Sequence, residues 1–441
     1  MTIIRATVLD TPGTLGDPDG LRSGEDVALV VRNGTILART DVPSARAAYP
    51  QEEVLDLRDG VLLPGFVDTH VHYPQVRVIG GLGMTLLDWL RECALPEEAR
   101  LADQGYARGV ARDFLGGLLG SGTTTALVFG SHFAGAMDAL FAEAVTTGQR
   151  ITSGMVLSDR ILRGELLQSP AAALEASEAL ARRWHGRGRL RYAVTPRFSL
   201  STTEEMLEVC AELLTEDRWF TSHLNENPAE VAEVARLFPT SIDYLDTYAR
   251  HGLATERSVF AHNVHPTDRE LDVLAGAGCA VAHCPSSNSA LGSGLFPLRR
   301  HLDAGVRVAL GSDVGAGTGF CLLKEGLQAY FVQQLLGGEG APLATADLLH
   351  LATRSGALAL GMGQDVGDLS PGRQFDAVWV RPRPDGTLAM TMRHATDPTD
   401  ALAKIFALGS PADIAGVWVG GHEAFRARPT TAGVTTPQEA P

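Results

Sequence analysis

Apolar and polar positions alternate in short runs at both ends of the chain and change rhythm in between. The stretch DVALVVRNGTILA, residues 26 to 38, holds two β-rich runs joined by Asn33-Gly34, a pair that favours a two-residue hairpin. EEVLDLRDGVLLPGF adds further short strands with a turn at Gly60. GDLSPGRQFDAVWVRP turns at Pro371-Gly372 and then runs into DAVWV. These patterns predict one small β-sandwich domain built from both termini, residues 1–65 and 369–441. From Ala424 onward no periodicity is left, which predicts a loose tail.

Between the termini, residues 66–368, apolar strands alternate with helix-length segments. The strands are GFVDTH, TTTALVFG (123–130), ITSGMVLS (151–158), RYAVTPRF (191–198), WFTSHLNE (219–226), SVFAHN (258–263), CAVAHCPS (279–286) and VRVALGSD (306–313). DRELDVLAGAG (268–278) starts on Asp and stops on Gly as a helix does, and DLLHLATRSGALALG (347–361) is amphipathic. Eight strands, each followed by a helix, predict an α/β fold: a (β/α)8 TIM-type barrel of the metal-dependent hydrolase kind.

The polar residues fall where those strands end. His70 and His72 close the first strand, His223 the fifth, His262 the sixth and Asp313 the eighth. Strand ends of a barrel converge on one mouth, and residues two apart on a strand share a face. His70 and His72 can therefore grip one ion together. A nitrogen-rich set with one carboxylate suits Zn²⁺, with Fe²⁺ as the alternative. Glu226, three residues after His223, is placed to carry protons between a metal-activated water and a substrate. His265 and His283 read as structural, His132 as a supporting or loop residue, and Cys284 as a small packing residue.

Composition narrows the setting. The chain has 441 residues, 45% hydrophobic and 20% charged, ample for a large core. A net charge of −15 disfavours nucleic acid and anionic membranes as partners. Five scattered cysteines do not form a disulfide framework. With no basic leader segment and no apolar run of ~18 residues, the expected location is the cytoplasm.

The motifs PGFVDTHVHYPQ, SHLNEN, FAHNVH, AHCPSSN and GSDVGAG resemble the amidohydrolase superfamily, in the order that superfamily uses, over nearly the whole chain. Within it, Tyr73-Pro74-Gln75, Pro196-Arg197-Phe198 and His223 to Asn227 resemble the guanine deaminase family, and LLDWLRECALPEE resembles its lid. The lid departs from the family at Cys93 to Pro96, where an aromatic-rich Tyr-Thr-Phe-Pro is usual. The resemblance implies conversion of guanine to xanthine and ammonia, a homodimer, and one Zn²⁺ per subunit on His70, His72, His223 and Asp313. A single ion is expected because Lys324 and Lys404, the only lysines, lie far from strand four, where two-metal relatives carry a bridging carboxylated lysine.

It further implies catalytic roles for Glu226, Asp313 and His262, the last with direct ligation as the alternative. Gln75, Arg197, Phe198, Trp89 and His223 are the implied contacts to the base. Arg197 supplies the donors a purine carbonyl needs, Gln75 pairs a ring edge, and Phe198 and Trp89 offer flat apolar faces. The competing readings are a deaminase of a related heterocycle (8-oxoguanine, a pterin or a triazine) on the same site, and a non-catalytic scaffold on the same barrel.

Overall fold

The computed structural model describes residues 1–428. Its core is a parallel sheet that curls into a barrel. The barrel strands are Phe66–His72, Thr123–Phe129, Arg150–Gly154, Leu190–Pro196, Trp219–Leu224, Ser258–His262, Ala280–His283 and Arg307–Leu310, hydrogen-bonded in chain order. A short extra strand, Val156–Leu157, also pairs with Leu190–Pro196. Val67, Leu127, Ala193, Trp219, Val259 and Ala309 pack together with Ala357, Leu360 and Met362. Phe66, Val71, Val128, Val194, Phe220 and Val281 pack in a separate cluster with the surrounding helices. Both sets are apolar because both faces of a parallel barrel are covered.

The seam between the first and eighth strands is closed by polar groups. The Asp313 amide donates to the His70 carbonyl at 2.8 Å. The Asp68 carboxylate accepts from the Ser312 amide at 3.0 Å and the Ser312 hydroxyl at 2.5 Å. Asp68 thus ties the strand that carries His70 and His72 to the loop that carries Asp313.

Both termini meet in one seven-stranded mixed sheet, in the order His422–Arg426, Ile414–Val419, Ala377–Val380, Glu53–Pro64, Thr2–Asp10, Arg22–Arg32, Thr35–Asp41. Asn33 and Gly34 both adopt positive φ, 51° and 81°, as the predicted hairpin requires. The turn expected at Gly60 is instead an irregularity inside one strand. Arg5 pairs with Asp56 and Thr7 with Val61, so four residues of that strand bulge out between the pairs.

Three helices in this region were not legible from the alternation. Val42–Ala48 is capped by Asp41, whose side chain accepts from the Ser44 amide, and Thr387–Met392 and Pro398–Leu408 follow the strand Ala377–Val380. The stretch 424–426, expected in the tail, completes the strand His422–Arg426 as an edge of the sheet. Residues 429–441 of the expected tail lie outside the described residues.

The helix read over 347–361 is two helices, Thr345–Ala352 and Arg354–Ala359, broken at Thr353. The break seats Gly356 against the first barrel strand, where a Cβ would lie 2.7 Å from Val67 Cγ1. The helix Asp268–Gly276 begins one residue after its cap, Thr267, which forms a reciprocal box with Glu270.

Candidate active site

The expected strand-end residues come together at the C-terminal mouth of the barrel. His72 Nε2 lies 3.2 Å from His70 Nε2 and 3.3 Å from His223 Nε2. Asp313 Oδ1 is 3.2 Å from both His70 Nε2 and His72 Nε2. His262 Nε2 lies 3.9 Å from Asp313 Oδ2 and 3.6 Å from Glu226 Oε2. Two compact triads share His70: one with His72 and Asp313, the other with His223 and His262. All of these residues are buried.

The ring orientations have local causes. The His223 Nδ1–H donates to the Arg197 carbonyl at 2.5 Å. The His262 Nδ1–H donates to Asn288 Oδ1 at 3.0 Å. Both bonds leave the Nε2 lone pair aimed at the cluster, the tautomer a metal ligand requires. The backbone is strained at the same spot: His262 has φ 72° and Asp313 φ 47°. Non-glycine residues adopt this region only where the surroundings hold them in it.

The electrostatics favour lone pairs over protons. Burial pulls the His70 imidazole down to about 3 and the His72 and His223 imidazoles downward as well. Burial also disfavours the Asp313 carboxylate, but hydrogen bonds to His70 and His72 outweigh it and hold the carboxyl well below its usual range. Closely spaced imidazole nitrogens with few protons between them repel one another unless a cation shares their lone pairs. Nitrogen donors with one carboxylate match the ligand chemistry of Zn²⁺, and Fe²⁺ fits the same set.

Glu226 behaves oppositely to Asp313. Burial pushes its carboxyl well above the usual range, and the nearby charge of Asp313 adds to the shift. A carboxyl pushed up in this way, beside the cluster, is suited to carrying a proton. Ser293 Oγ approaches its Oε1 at 3.5 Å. Glu230 lies directly behind, accepting from the Glu226 amide at 3.1 Å.

A small, tightly lined cavity opens from the cluster. Gln75, Arg197, Phe198 and Trp89 line it together with His72, His223, Glu226, His262 and Asp313. Every residue expected at the site therefore borders this space except His70, which sits beneath it. Leu86 and Leu90 close the top beside Trp89. These three belong to a segment that runs as helix over Leu86–Trp89, widens to a π-type turn over Leu90–Ala94 and continues as helix over Leu95–Ala99. A larger open groove lies beside the terminal sheet, but it is lined by residues such as Arg58, Pro382 and Met392 and is remote from this chemistry.

The family model described as "Amidohydrolase family" matches residues 61–424. The chain belongs to the amidohydrolase family. It is 62% identical over 433 residues to a protein of Deinococcus radiodurans described as a probable guanine deaminase, covering 96% of this chain and 99% of the relative. Its structure superposes on that of E. coli guanine deaminase with a TM-score of 0.94 at 35% identity, covering 97% of this chain and 100% of the other. It superposes on guanine deaminase from C. acetobutylicum with bound guanine with a TM-score of 0.88 at 27% identity, covering 96% and 100%.

Several contributors to this amidohydrolase site were not visible in the sequence. Phe129, which ends the second strand, packs its ring 4.5 Å from His223, 4.8 Å from His72 and 5.0 Å from His70. Its strand-end position was the available signal. Asn288, which holds His262, sits in the AHCPSSN motif and could have been flagged there. Glu98 Oε1 accepts from Gln75 Nε2 at 2.7 Å and forms an ion pair with Arg197 Nη1 at 3.0 Å. A glutamate in a helix's first turn gives no sequence sign of burial. His132, read as a supporting residue, is buried with Nδ1 3.5 Å from Glu98 Oε2. The His265 Nε2–H donates to the Ser293 carbonyl at 2.7 Å, outside the cluster.

Proposed function

We infer that this protein is a guanine deaminase, hydrolysing the C2–amino bond of guanine to give xanthine and ammonia. The observation that carries the reading is that Glu226, its carboxyl pushed up by burial, and a His/Asp cluster line one cavity with Arg197 and Gln75. The similarity to guanine deaminases over almost the full chain supports it.

His70, His72, His223 and Asp313 would hold one divalent ion, zinc by its donor set, which supplies Lewis acidity and brings the pKa of water toward ~7. The chain's own groups do the rest. Asp313 is the carboxylate that takes a proton from the attacking water. His262 Nε2, between the Asp313 and Glu226 carboxyls, orients that water. Glu226 delivers its proton to ring nitrogen N3 as the water oxygen bonds to C2. The C2–amino bond then breaks, the second proton of the water leaves with ammonia, and the proton taken by Asp313 passes back to Glu226, which resets both carboxyls. Arg197 donates to O6, Gln75 meets the ring edge, and Phe198 and Trp89 flank the flat base. Leu86 and Leu90 exclude bulk water above it.

The same reading carries a homodimer in the cytoplasm, the former measurable by light scattering. No helix among the described residues is long and apolar enough to cross a membrane. The decisive test follows guanine loss and ammonia release by the zinc-loaded protein. Conversion to xanthine is expected. No turnover of guanine, with one ion bound per chain, would redirect the reading to another heterocycle.

A further inference from the structure

Glu98 stands outside the proposed catalytic steps, yet it touches both side chains assigned to reading the base. It is 2% exposed, on the short helix Leu95–Ala99 that continues directly from the segment covering the cavity. Its Oε1 accepts from Gln75 Nε2 at 2.7 Å and sits 3.0 Å from Arg197 Nη1. Its Oε2 faces the His132 ring at 3.5 Å.

A carboxylate paired with an arginine has only acceptors to offer. The Gln75 amide can therefore meet it only through its NH2 group. A flipped amide would set two oxygens against each other at hydrogen-bond distance. The consequence is visible at the opposite ends of both readers. Gln75 Oε1 and Arg197 Nε are buried and have no protein hydrogen-bond partner. Buried polar atoms are rarely left this way unless a ligand or water completes them. Gly315 bounds the same pocket for the amide: at its φ of 113°, a Cβ would lie 2.5 Å from Gln75 Oε1.

We propose that Glu98 is a positioning residue for substrate specificity, holding Gln75 as an acceptor and Arg197 as a donor so that the pair selects a lactam edge. A purine with N1–H and O6 offers the complementary donor and acceptor. A purine with an unprotonated N1 and a 6-amino group sets acceptor against acceptor and donor against donor, and is refused by both groups at once. The inference deepens the proposed reaction and rests on that reading for its substrate, while the edge selection can be measured without turnover.

Hypoxanthine and adenine differ only at this edge, so their binding to the zinc-loaded protein by titration calorimetry isolates it. Wild type should bind hypoxanthine at least tenfold more tightly than adenine. Glu98→Gln is isosteric but can present either an acceptor or a donor, so Gln75 is free to turn. Its hypoxanthine-to-adenine ratio should fall at least tenfold with bound zinc near wild type, while the melting temperature falls because the Arg197 charge loses its buried partner. Glu98→Asp keeps an acceptor-only group and should retain most of the preference, even if Glu98→Gln folds poorly. A lost preference in Glu98→Asp equal to that in Glu98→Gln would overturn the proposal. So would an unchanged ratio in Glu98→Gln, or equal weakening of both ligands, which marks a merely structural residue. Guanine turnover by wild type is a separate readout: its absence alongside an intact edge preference would overturn the reaction and leave the role of Glu98 standing.

Discussion

Replacing Arg197 by Met separates what this side chain does for the fold from what it does for the substrate. Arg197 is 3% exposed, with its Nη1 3.0 Å from Glu98 Oε1. Methionine fills much of the same volume and removes the charge. The Glu98 carboxylate would then be buried with only the Gln75 amide as a direct donor. Breaking a buried pair from one side costs ~3–5 kcal/mol, because it strands the other charge. The retained Gln75 hydrogen bond offsets ~1 kcal/mol of that. A loss of ~2–4 kcal/mol in unfolding free energy is expected, a large share of the ~5–15 kcal/mol that holds a folded chain together.

Activity should fall by a different route. A hydrogen bond from a charged donor to a carbonyl contributes ~1.5–3 kcal/mol, so kcat/KM for guanine should drop roughly 10- to 200-fold. The double variant Arg197→Met/Glu98→Gln replaces the stranded charge with an amide. It should recover at least half of the lost stability and none of the lost activity. Urea unfolding and steady-state deamination of guanine measure the two effects separately. A single variant as stable as wild type, with kcat/KM within threefold, would refute the placing of Arg197 in both the pair and the base site. A double variant no more stable than the single would refute the electrostatic origin of the loss.

Three further outcomes are expected. Glu226→Gln should keep its metal and lose more than nine-tenths of turnover, since positioned proton transfer contributes ~10²–10⁴ in rate; a variant retaining more than a tenth would remove Glu226 from that role. Asn288→Ala should free the His262 ring and reduce activity or metal affinity ~10- to 100-fold, measured by steady-state kinetics and zinc titration, and unchanged values of both would show that His262 needs no such partner. Burial holds His132 and His301 neutral down to about 4, whereas their unfolded counterparts gain a proton below ~6.5. Stability is therefore full above ~6.5 and falls as pH drops toward 4, by up to ~1.4 kcal/mol per pH unit for each group. Urea midpoints at pH 7 and pH 5 should show a shallower loss in His301→Gln than in wild type, and parallel profiles would count against this origin.

The barrel was legible because its rules are local. Each strand from Phe66–His72 to Arg307–Leu310 is a short apolar run, and the intervening segments are long enough to be helices. The approximate places of His70, His72, His223, His262 and Asp313 followed from one further rule, that such strands end at a common mouth. Where the reading missed, a neighbour distant in sequence had decided the outcome. Glu53–Pro64 stays one strand across Gly60 because it pairs with Thr2–Asp10 on one side and Ala377–Val380 on the other. The helix over 347–361 breaks at Thr353, and its second half sets Gly356 against Val67, where a side chain would clash.

The sequence by itself determined the alternation of strands and helices, the residue types at the barrel mouth and, through its motifs, the family. These are encoded in periodicity and in side chains a few positions apart. Only the tertiary structure decided which nitrogen each of His223 and His262 turns to the cluster, because Arg197 and Asn288 hold the other one. It also decided that the Glu226 carboxyl is pushed up while that of Asp313 is held down. The two carboxyls are equally buried in kind, and His70 and His72 stabilise only the charge of Asp313. Glu98 became part of the site for the same reason: burial and pairing arise between segments that meet only when the chain has folded.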